Sequence, residues 1–465
     1  MRTLAIVGGG LSGTLVAANL LRLASTPLRV VLIDRRPQIG QGVAYGTLCP
    51  DHLLNVPADR MGVWPEEPEH FLHWLRAHRG ESGVPDRVEP GDFLPRCLYG
   101  AYVGRVFAEV RAAASPLVEL EEIEGEVIDI EERSGGGGLL RLADGRTLVA
   151  DQVVFAVGNL PGEYPIPRPL PVYRSPRYVH IPWRGDALDG IGVDDDVLLV
   201  GQGLTAVDLI VQLDRAGHRG TIHALSRHGH RLQVHRPVRT YRSCLADEAP
   251  PTTTRTLLRR VRAEVRAAAK AGVDWRAVID GLRPYSQAIW QGLSWDERAR
   301  FLRHLRPFWE IHRHRLAPQT AAVVERLIAE GRLKSYAGRL QVLEADATGV
   351  QALLRRRRTI QHVSLRVAKV INCTGPRTDY SKYQHPLFIH LLARGLIDHD
   401  PLALGINALP TGEVLRYRGG PVGWLFTLGA TLKGVLWEST AVPEIRAQAK
   451  ALAKKLLEPA TALVA

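Results

Sequence analysis

The chain has 465 residues, of which 45% are hydrophobic and 23% are charged, as is typical of a globular protein with two or three domains. Its formal net charge of +12 comes from scattered basic residues. The run Arg355–Arg358 is interpreted as a solvated hairpin, so we expect no nucleic-acid partner. No stretch approaches about 18 uninterrupted apolar residues, and no leader pattern precedes the first strand. These features argue against a membrane span and favour a cytoplasmic protein.

The first predicted elements are a buried strand, a glycine-rich turn and the start of a helix. The strand Leu4–Val7 leads into Gly8-Gly9-Gly10-Leu11-Ser12-Gly13. This is the spacing of a Rossmann unit, where backbone N–H groups at a helix N-terminus receive a pyrophosphate. A second strand ends at Asp34, 24 positions after Gly10, where a carboxylate can accept hydrogen bonds from ribose hydroxyls. We therefore predict an FAD site that includes Gly8, Gly10, Leu11, Ser12, Gly13, Asp34 and Arg35.

The remainder of the first predicted domain, residues 1–165, is rich in strands. Residues 118–130 and 139–149 have strand patterns, and the glycines between them predict a hairpin or meander. A buried strand over residues 153–157 then ends at Gly158, where backbone can approach a cofactor closely. Val127 and Gly158 are included in the predicted FAD site.

The glycine signature returns after a proline-rich linker, in a second predicted domain, residues 185–365. A strand leads into Gly201-Gln202-Gly203-Leu204-Thr205-Ala206, and the next strand ends at Ser226, 23 positions after Gly203. Ser226 and Arg227 stand where an acid is usual, and a hydroxyl with a guanidinium suits a 2′-phosphate. This favours NADPH over NADH. The predicted nicotinamide site comprises Gly201, Gly203, Leu204, Thr205, Ala206, Ser226 and Arg227.

The last third of the chain is predicted to return to the FAD domain. Residues 252–331 have helical apolar spacing and form a helical insert in the second domain. Two later strands, which end at Gly375 and Gly429, are assigned to residues 366–465, and both glycines are predicted to contact a cofactor. The expected fold class is α/β, with two Rossmann-like domains, the NAD(P) domain being inserted in the FAD domain. The four cysteines are far apart in sequence and offer no dithiol pair.

Three longer blocks of sequence are more specific than the glycine turns. They are residues 40–47 with 52–58, residues 309–315 with Pro318, and residues 437–446. In these blocks the chain resembles a bacterial family of FAD/NAD(P)-binding proteins. That family includes FAD-dependent urate hydroxylases and relatives that N-hydroxylate aspartate on the way to nitrosuccinate. More distantly, the layout is similar to flavin-containing and ornithine N-hydroxylating monooxygenases.

The resemblance implies a monooxygenase that uses FAD, NAD(P)H and O₂ to hydroxylate a small polar or anionic substrate through a flavin C4a-hydroperoxide. Conversion of urate to 5-hydroxyisourate ranks first, and N-hydroxylation of an amino acid such as aspartate ranks second. The same two cofactors would also suit an uncoupled NAD(P)H oxidase or reductase, or a non-enzymatic redox sensor. The resemblance also implies that Asn55 hydrogen-bonds the flavin edge or its oxygen adduct. Gly429-Ala430 stands where many flavoproteins have Gly-Asp, so backbone amides are expected to replace that carboxylate.

Three further groups of residues have both a chemical and a structural interpretation. Arg96, at the start of an aromatic-rich helix, is a candidate partner for an anionic substrate, with a structural ion pair as an equal alternative. Several aromatic residues fit a hydrophobic core better than the wall of a dry reaction pocket, namely Trp64, Phe71, Trp74, Tyr99 and Tyr102. His312 and His314, with their neighbouring arginines, fit the packing of the insert better than a metal site, so no metal is predicted.

Overall fold

The computed structural model describes residues 1–246 and 249–458. The N-terminal elements, in chain order β1, α1, β2, α2, α3, α4 and β3, span Arg2–Val7, Leu11–Leu23, Leu28–Asp34, Gly42–Tyr45, His70–Ala77, Arg96–Ala112 and Val118–Glu124. β1 and β2 are parallel neighbours with Val7 opposite Ile33, and β3 lies beside β2. The chain therefore begins with the predicted Rossmann unit.

An antiparallel meander follows, formed by β4 (Val127–Glu132), β5 (Gly138–Leu142) and β6 (Thr147–Ala150), and the chain then enters β7 (Gln152–Phe155). β7 pairs with β1 in the parallel sheet. The predicted strand over residues 118–130 is thus two strands that belong to different sheets, since β3 pairs with β2 whereas β4 pairs with β5. Both halves have a strand pattern, so the sequence alone could not separate them.

A second parallel sheet starts with β8 (Tyr178–Val179), β9 (Val197–Val200), α5 (Leu204–Arg215) and β10 (Ile222–Ser226). β9 and β10 are parallel, with Val200 opposite Leu225. α5 begins directly after Gly203 and packs its apolar face, including Leu209 and Leu213, against these strands. β8 lies within the proline-rich stretch that the sequence predicts to be only a linker.

Helices occupy the predicted insert. They are α6 (Thr254–Lys270), α7 (Trp275–Gly281), α8 (Ser286–Gly292), α9 (Trp295–His304), α10 (Arg306–Arg313) and α11 (Pro318–Ala329). Side chains of Thr253, Asp274 and Ser294 accept backbone N–H groups at the starts of α6, α7 and α9, which satisfies donors that a helix start leaves free.

The second sheet is completed by β11 (Leu333–Ala345), β12 (Val350–Arg356), β13 (His362–Val367) and β14 (Lys369–Asn372). Its strand order is β13-β12-β11-β10-β9-β14-β8. The run Arg355–Arg358 lies at the turn between β12 and β13, which confirms the predicted hairpin. β14 pairs with β9 and β8. The predicted boundary at residue 366 is therefore wrong, because a short buried strand that ends in glycine fits either parallel sheet.

The C-terminal elements bring the chain back to the first sheet. They are α12 (Pro386–Ala393), β15 (Glu413–Leu415), β16 (Pro421–Thr427), α13 (Lys433–Leu436) and α14 (Val442–Leu457). β16 pairs in parallel with β7, and the first sheet has the order β15-β16-β7-β1-β2-β3. α1, α4 and α14 cover one face of this sheet, while α12 and the meander cover the other.

Two largely parallel sheets with helices packed on them, together with the helical segment between β10 and β11, confirm the predicted α/β fold class. The limits 1–165 of the first domain and the start of the second domain at residue 185 stay predictions. In the described ranges, 1–246 and 249–458, no helix is both long enough and apolar enough to cross a membrane.

Candidate functional site

A long cleft opens at the carboxyl ends of the parallel strands in the first sheet, which is where open α/β sheets bind ligands. It encloses about 1280 Å³ of space that is continuous with solvent. Eight of the predicted cofactor-binding residues line it: Gly8, Gly10, Leu11, Ser12, Asp34, Arg35, Val127 and Gly158. The tertiary structure therefore brings together residues from β1, β2, β4 and the end of β7.

The first glycine loop leaves no room for side chains at its turn. The backbone of Gly8 has φ +113°, and its N–H donates to Ile33 O at 2.8 Å. A Cβ atom on Gly13 would lie 1.9 Å from Gly8 O, so the helix start is pressed against the turn. No side chain caps α1 at Gly10, which leaves its first N–H groups available to an anion.

Asp34 stands at the end of β2 and organises the loop opposite. Its Oδ2 accepts a hydrogen bond from Gly9 N at 2.7 Å, and its Oδ1 accepts one from Arg36 N at 2.9 Å. Each carboxylate oxygen can accept more than one hydrogen bond. Asp34 can therefore hold the turn and still accept ribose hydroxyls. The neighbouring Arg35 lies 3.7 Å from Glu126 in an exposed ion pair.

Part of the cleft wall is formed by residues that belong to no recognisable sequence motif. These lining residues come from four separate segments and include Gln41, Tyr45, Leu160, Tyr383, Phe388, Thr440 and Ile445. Residues 41–45 and 440–445 fall within blocks that carry the family resemblance, and that was the only signal for them. The others are ordinary apolar or aromatic residues, which sequence patterns assign to a core.

The predicted aromatic cluster lies directly behind this wall. Phe71, Tyr99 and Tyr102 are fully buried and pack on one another, with ring centroids 4.8–5.5 Å apart. Tyr45, which lines the cleft, packs on Tyr99 at 4.7 Å. Burial raises the pKa of Tyr45 to about 12 and that of Tyr99 well above its usual value. The cluster is hydrophobic core, as expected, and it presents an uncharged support to the cleft.

Gly429 lies beside the first glycine loop, since a Cβ atom on it would be 3.0 Å from Ser12 Oγ. Its N–H, however, donates to Gln448 Oε1 at 2.9 Å. The next residue, Ala430, lines the cleft. Gly375, in contrast, follows β14 of the second sheet, where its carbonyl oxygen would lie 2.6 Å from a Cβ atom on Gly162. Gly375 therefore follows the strand beside the second glycine loop, and its contact with a cofactor stays a prediction.

The second glycine loop repeats the geometry of the first. Gly201 has φ +132°, and its N–H donates to Leu225 O at 2.7 Å. A Cβ atom on Gly201 would lie 2.0 Å from Cys373 O, so β14 passes directly against this turn. Gly203 ends the loop without a side-chain cap for α5, whose first turn holds Leu204, Thr205 and Ala206. This is again a helix start that can receive an anion.

A basic surface surrounds the end of β10. Ser226 Oγ donates to Gln202 Oε1 at 3.0 Å and accepts Gly229 N at 2.9 Å, which fixes the loop after the strand. Arg227 is exposed. The loop rests on Ala337 of β11, whose carbonyl accepts Arg357 N at 2.9 Å, and Arg357 is thereby brought close to it. Burial and then Arg357 lower the pKa of the nearby imidazoles, His228 and His230.

The two predicted catalytic residues lie where the two sheets meet. Arg96 Nη1 is 2.8 Å from Asp208 Oδ2 on α5, and its Nε donates to Leu53 O at 3.1 Å. Arg96 therefore makes a buried ion pair, which agrees with its structural alternative, and its role as partner of an anionic substrate stays a prediction. Asn55 is not among the described residues that line the cleft, and its carbonyl oxygen is 2.9 Å from His235 Nε2. Its contact with the flavin stays a prediction.

The histidine and arginine cluster of the insert makes packing contacts. Arg313 lies 3.4 Å from Glu438 in a buried ion pair that joins α10 to the C-terminal segment. Burial, and then Arg313, lower the pKa of His314 to about 4, so its imidazole is neutral. His312 is outside this cluster and packs edge-on against Trp275 at 4.8 Å. These contacts agree with the packing role that the sequence favours for the cluster.

Comparison with known proteins gives the same overall picture. Residues 5–160 match a family model described as FAD-NAD(P)-binding, and no curated protein matches the chain. L-lysine 6-monooxygenase from Pseudomonas syringae is 16% identical with a TM-score of 0.66, and all of both chains is covered. The reduced form of ornithine hydroxylase from Pseudomonas aeruginosa is 17% identical with a TM-score of 0.62, over 98% of this chain and 99% of that one.

A third similar structure is an ornithine N-hydroxylase from Kutzneria sp. 744, described with reduced FAD, NADP⁺ and L-ornithine. It is 13% identical with a TM-score of 0.60, over 98% of this chain and 99% of the other. At these identities the likeness shows a shared fold over the full length. The aligned part of this chain includes both sheets and the helical segment.

Proposed function

We propose that the protein is an FAD-dependent, NADPH-using monooxygenase of the amino-acid N-hydroxylase type. The observation that carries the proposal is the pair of glycine loops, Gly8–Gly13 and Gly201–Ala206, each placed at the carboxyl ends of parallel strands in one chain. The full-length likeness to ornithine and lysine hydroxylases supports N-hydroxylation. Urate hydroxylation, which ranks first on sequence alone, has no support from the comparisons.

The residues of the first cleft fit FAD. The uncapped start of α1 supplies N–H groups for a pyrophosphate, and Asp34 supplies acceptors for a ribose. Gly10 has only Gly42 backbone within van der Waals range of its missing side chain, so a phosphate can approach the loop there. When bound, FAD supplies hydride acceptance from the nicotinamide and transfer of one oxygen atom from O₂ to a substrate amine.

The chain's own contribution is to orient the reactants and to exclude water. Tyr45 and its buried neighbour Tyr99 keep their protons across the physiological range, so this wall presents no charge. An uncharged, poorly hydrated wall protects reactive oxygen chemistry from stray protons. Proximity of the two nucleotides then supplies much of the rate of hydride transfer, and no side-chain acid is needed for that step.

The second loop is proposed to hold NADPH. Arg227 is exposed beside Ser226, and Arg357 adds a further cation to the same loop. The described residues place no carboxylate in an ion pair with Arg227. A 2′-phosphate would balance this local excess of positive charge, since guanidinium groups bind phosphate by charge-assisted hydrogen bonds.

The reaction class is tested with a panel of compounds. The purified protein, loaded with FAD, is supplied with NADPH, O₂ and one of ornithine, lysine, aspartate or urate. NADPH oxidation, hydroxylamine formation and peroxide release are measured together. We expect one amino acid to raise NADPH oxidation and to yield hydroxylamine in near-equal amount. Peroxide that matches NADPH consumption with every amine would show an uncoupled oxidase, and a hydroxylated product from urate alone would restore the urate assignment.

The nicotinamide preference is tested by Arg227→Ala. Loss of charge-assisted hydrogen bonds to a phosphate costs about 1.5–3 kcal/mol. We therefore expect the KM for NADPH to rise at least about tenfold, while the KM for NADH stays within about twofold. Arg255→Ala, which removes an exposed arginine from α6, is the matched control and leaves both values unchanged. Equal effects of Arg227→Ala on both nucleotides would show that this arginine does not contact a 2′-phosphate.

A further inference from the structure

One short segment of the proposed FAD-binding part of the chain, residues 51–55, is held at three places by residues of the proposed NADPH-binding part. Arg215 of α5 pairs with Asp51 at 2.6 Å, and His235 Nε2 lies 2.9 Å from Asn55 O. Between them, the backbone carbonyl of Asp208 lies 3.1 Å from His52 Nε2. The outer ion pair is exposed, with more than a third of each side chain accessible, so solvent screens it. The central contacts are buried.

Next to the contact between His52 and the Asp208 carbonyl lies an ion pair between the Arg96 and Asp208 side chains, which are 11% and 6% exposed. Arg96 N donates to His52 O at 2.8 Å, and Arg96 Nε donates to Leu53 O at 3.1 Å. Burial, and then Arg96, lower the pKa of His52 to about 4, so its imidazole is neutral. Thr47 Oγ1 lies 2.7 Å from Nδ1, and the Nε2–H is therefore assigned to Asp208 O.

A residue from the connection between β8 and β9 of the second sheet also contacts this ion pair. The indole of Trp183 packs against the Arg96 guanidinium at 5.6 Å and edge-on against the His52 ring at 6.0 Å. A buried ion pair is strongly weakened when one partner is removed, although the intact pair adds little net stability compared with apolar residues. Such a pair specifies a geometry more than it stabilises a fold.

Each member of the ion pair lies on a helix that leads directly to one of the two predicted nucleotide sites. Asp208 is four residues after Leu204, which starts α5, so it lies about 6 Å along the helix from the second glycine loop. Arg96 is four residues before Gly100 on α4, and a Cβ atom on Gly100 would lie 2.6 Å from Tyr45 O in the wall of the cleft. Each charge therefore sits one helical turn from a cofactor-binding surface.

We propose that the Arg96–Asp208 ion pair positions the second dinucleotide site against the first and so sets the approach of the nicotinamide to the flavin. The inference rests on the proposed function. Arg96 and Asp208 act through the helices that bear them and touch no reacting atom, so both are positioning residues. Their loss leaves both nucleotide sites intact and changes the relation between the sites.

The test is the rate of flavin reduction by NADPH, measured anaerobically with the FAD-loaded full chain. In Asp208→Asn we expect the limiting rate at saturating NADPH to fall at least tenfold, with FAD content and the Kd for NADPH within twofold of wild type. Asp208→Glu, which keeps the charge, recovers at least a third of the wild-type rate. Asp214→Asn is the matched control, since Asp214 lies on the same helix and pairs with Arg326 away from the joint.

A second variant covers the outcome that Asp208→Asn fails to fold. The double variant Arg96→Met, Asp208→Leu leaves no unpaired buried charge, and we expect it to be folded, to hold FAD and to show the same loss of rate. A wild-type rate of reduction in either folded variant would overturn the proposal. A tenfold or larger rise in the Kd for NADPH that accounts for the whole effect would also overturn it. Failure of the proposed function looks different, because the wild-type protein would then not bind FAD or would not be reduced by NADPH.

Discussion

Replacement of Gly13 by alanine separates the structural role of the first glycine loop from its role in binding. The new Cβ atom would lie 1.9 Å from Gly8 O and 3.1 Å from Ile6 Cγ2, about 1.5 Å short of an ordinary contact with the carbonyl. Gly8 cannot retreat freely, because its N–H is bonded to Ile33 O. Overpacking of this kind costs about 1–3 kcal/mol. Since the clash is with backbone, we expect the upper end, about 3 kcal/mol.

Gly10→Ala is the informative contrast in the same loop. Its Cβ atom would meet only the Gly42 backbone, with Cα at 3.4 Å, so the fold can accommodate it, at a cost of about 1 kcal/mol because alanine is a poorer N-cap than glycine. It would, however, occupy the space through which a pyrophosphate reaches the backbone. Urea unfolding and the amount of flavin in the purified protein are measured for both variants. Gly13→Ala should lose about 3 kcal/mol of stability together with its flavin, whereas Gly10→Ala should lose its flavin with no more than about 1 kcal/mol of stability. A Gly13→Ala protein as stable as wild type would refute the packing argument, and full flavin content in Gly10→Ala would refute the binding argument.

Three further predictions concern packing and protonation. Glu444→Gln breaks the two 2.8 Å contacts with Arg283 and strands a largely buried guanidinium, so urea unfolding should show a loss of about 3 kcal/mol. The folded state lowers the pKa of His52 to about 4, and the unfolded chain therefore binds the extra proton between about pH 6.5 and pH 4. Stability should fall as the pH is lowered through that window, and His52→Gln should reduce the slope by about one proton; an unchanged slope would contradict the assignment. Cys373 is buried with a raised pKa, so mass spectrometry should find it alkylated only after unfolding, and its early modification would contradict that burial.

The local sequence was sufficient to predict the glycine loops and the strands around them. Gly8 and Gly201 are required by positive φ and by close backbone approach, which are properties of a turn of a few residues. Asp34 was predictable for the same reason, since its distance from the loop is fixed by one helix and one strand. β14 shows the limit of local patterns. The sequence correctly predicted a buried strand there but assigned it to the wrong sheet.

Some site residues have contacts in the structure that sequence patterns could not predict, because their partners are distant along the chain. Arg96 pairs with Asp208, more than a hundred residues later, so the sequence could offer a structural ion pair as one of two alternatives but could not name its partner. Tyr383 and Phe388 line the first cleft from the C-terminal third, although nothing in their local pattern differs from core. The sequence showed that these residues are charged or apolar, but it did not show which residues they contact, and those contacts determine their role.

The sequence by itself determined that this chain builds two glycine-turn Rossmann units, because turn geometry, strand burial and helix starts depend on neighbouring residues. Only the tertiary structure decided how the units meet, through the buried pairing of Arg96 with Asp208, and which of the two sheets β14 joins. These contacts join segments that no local pattern links. Their energies come from burial and charge pairing, which exist only after the chain has folded.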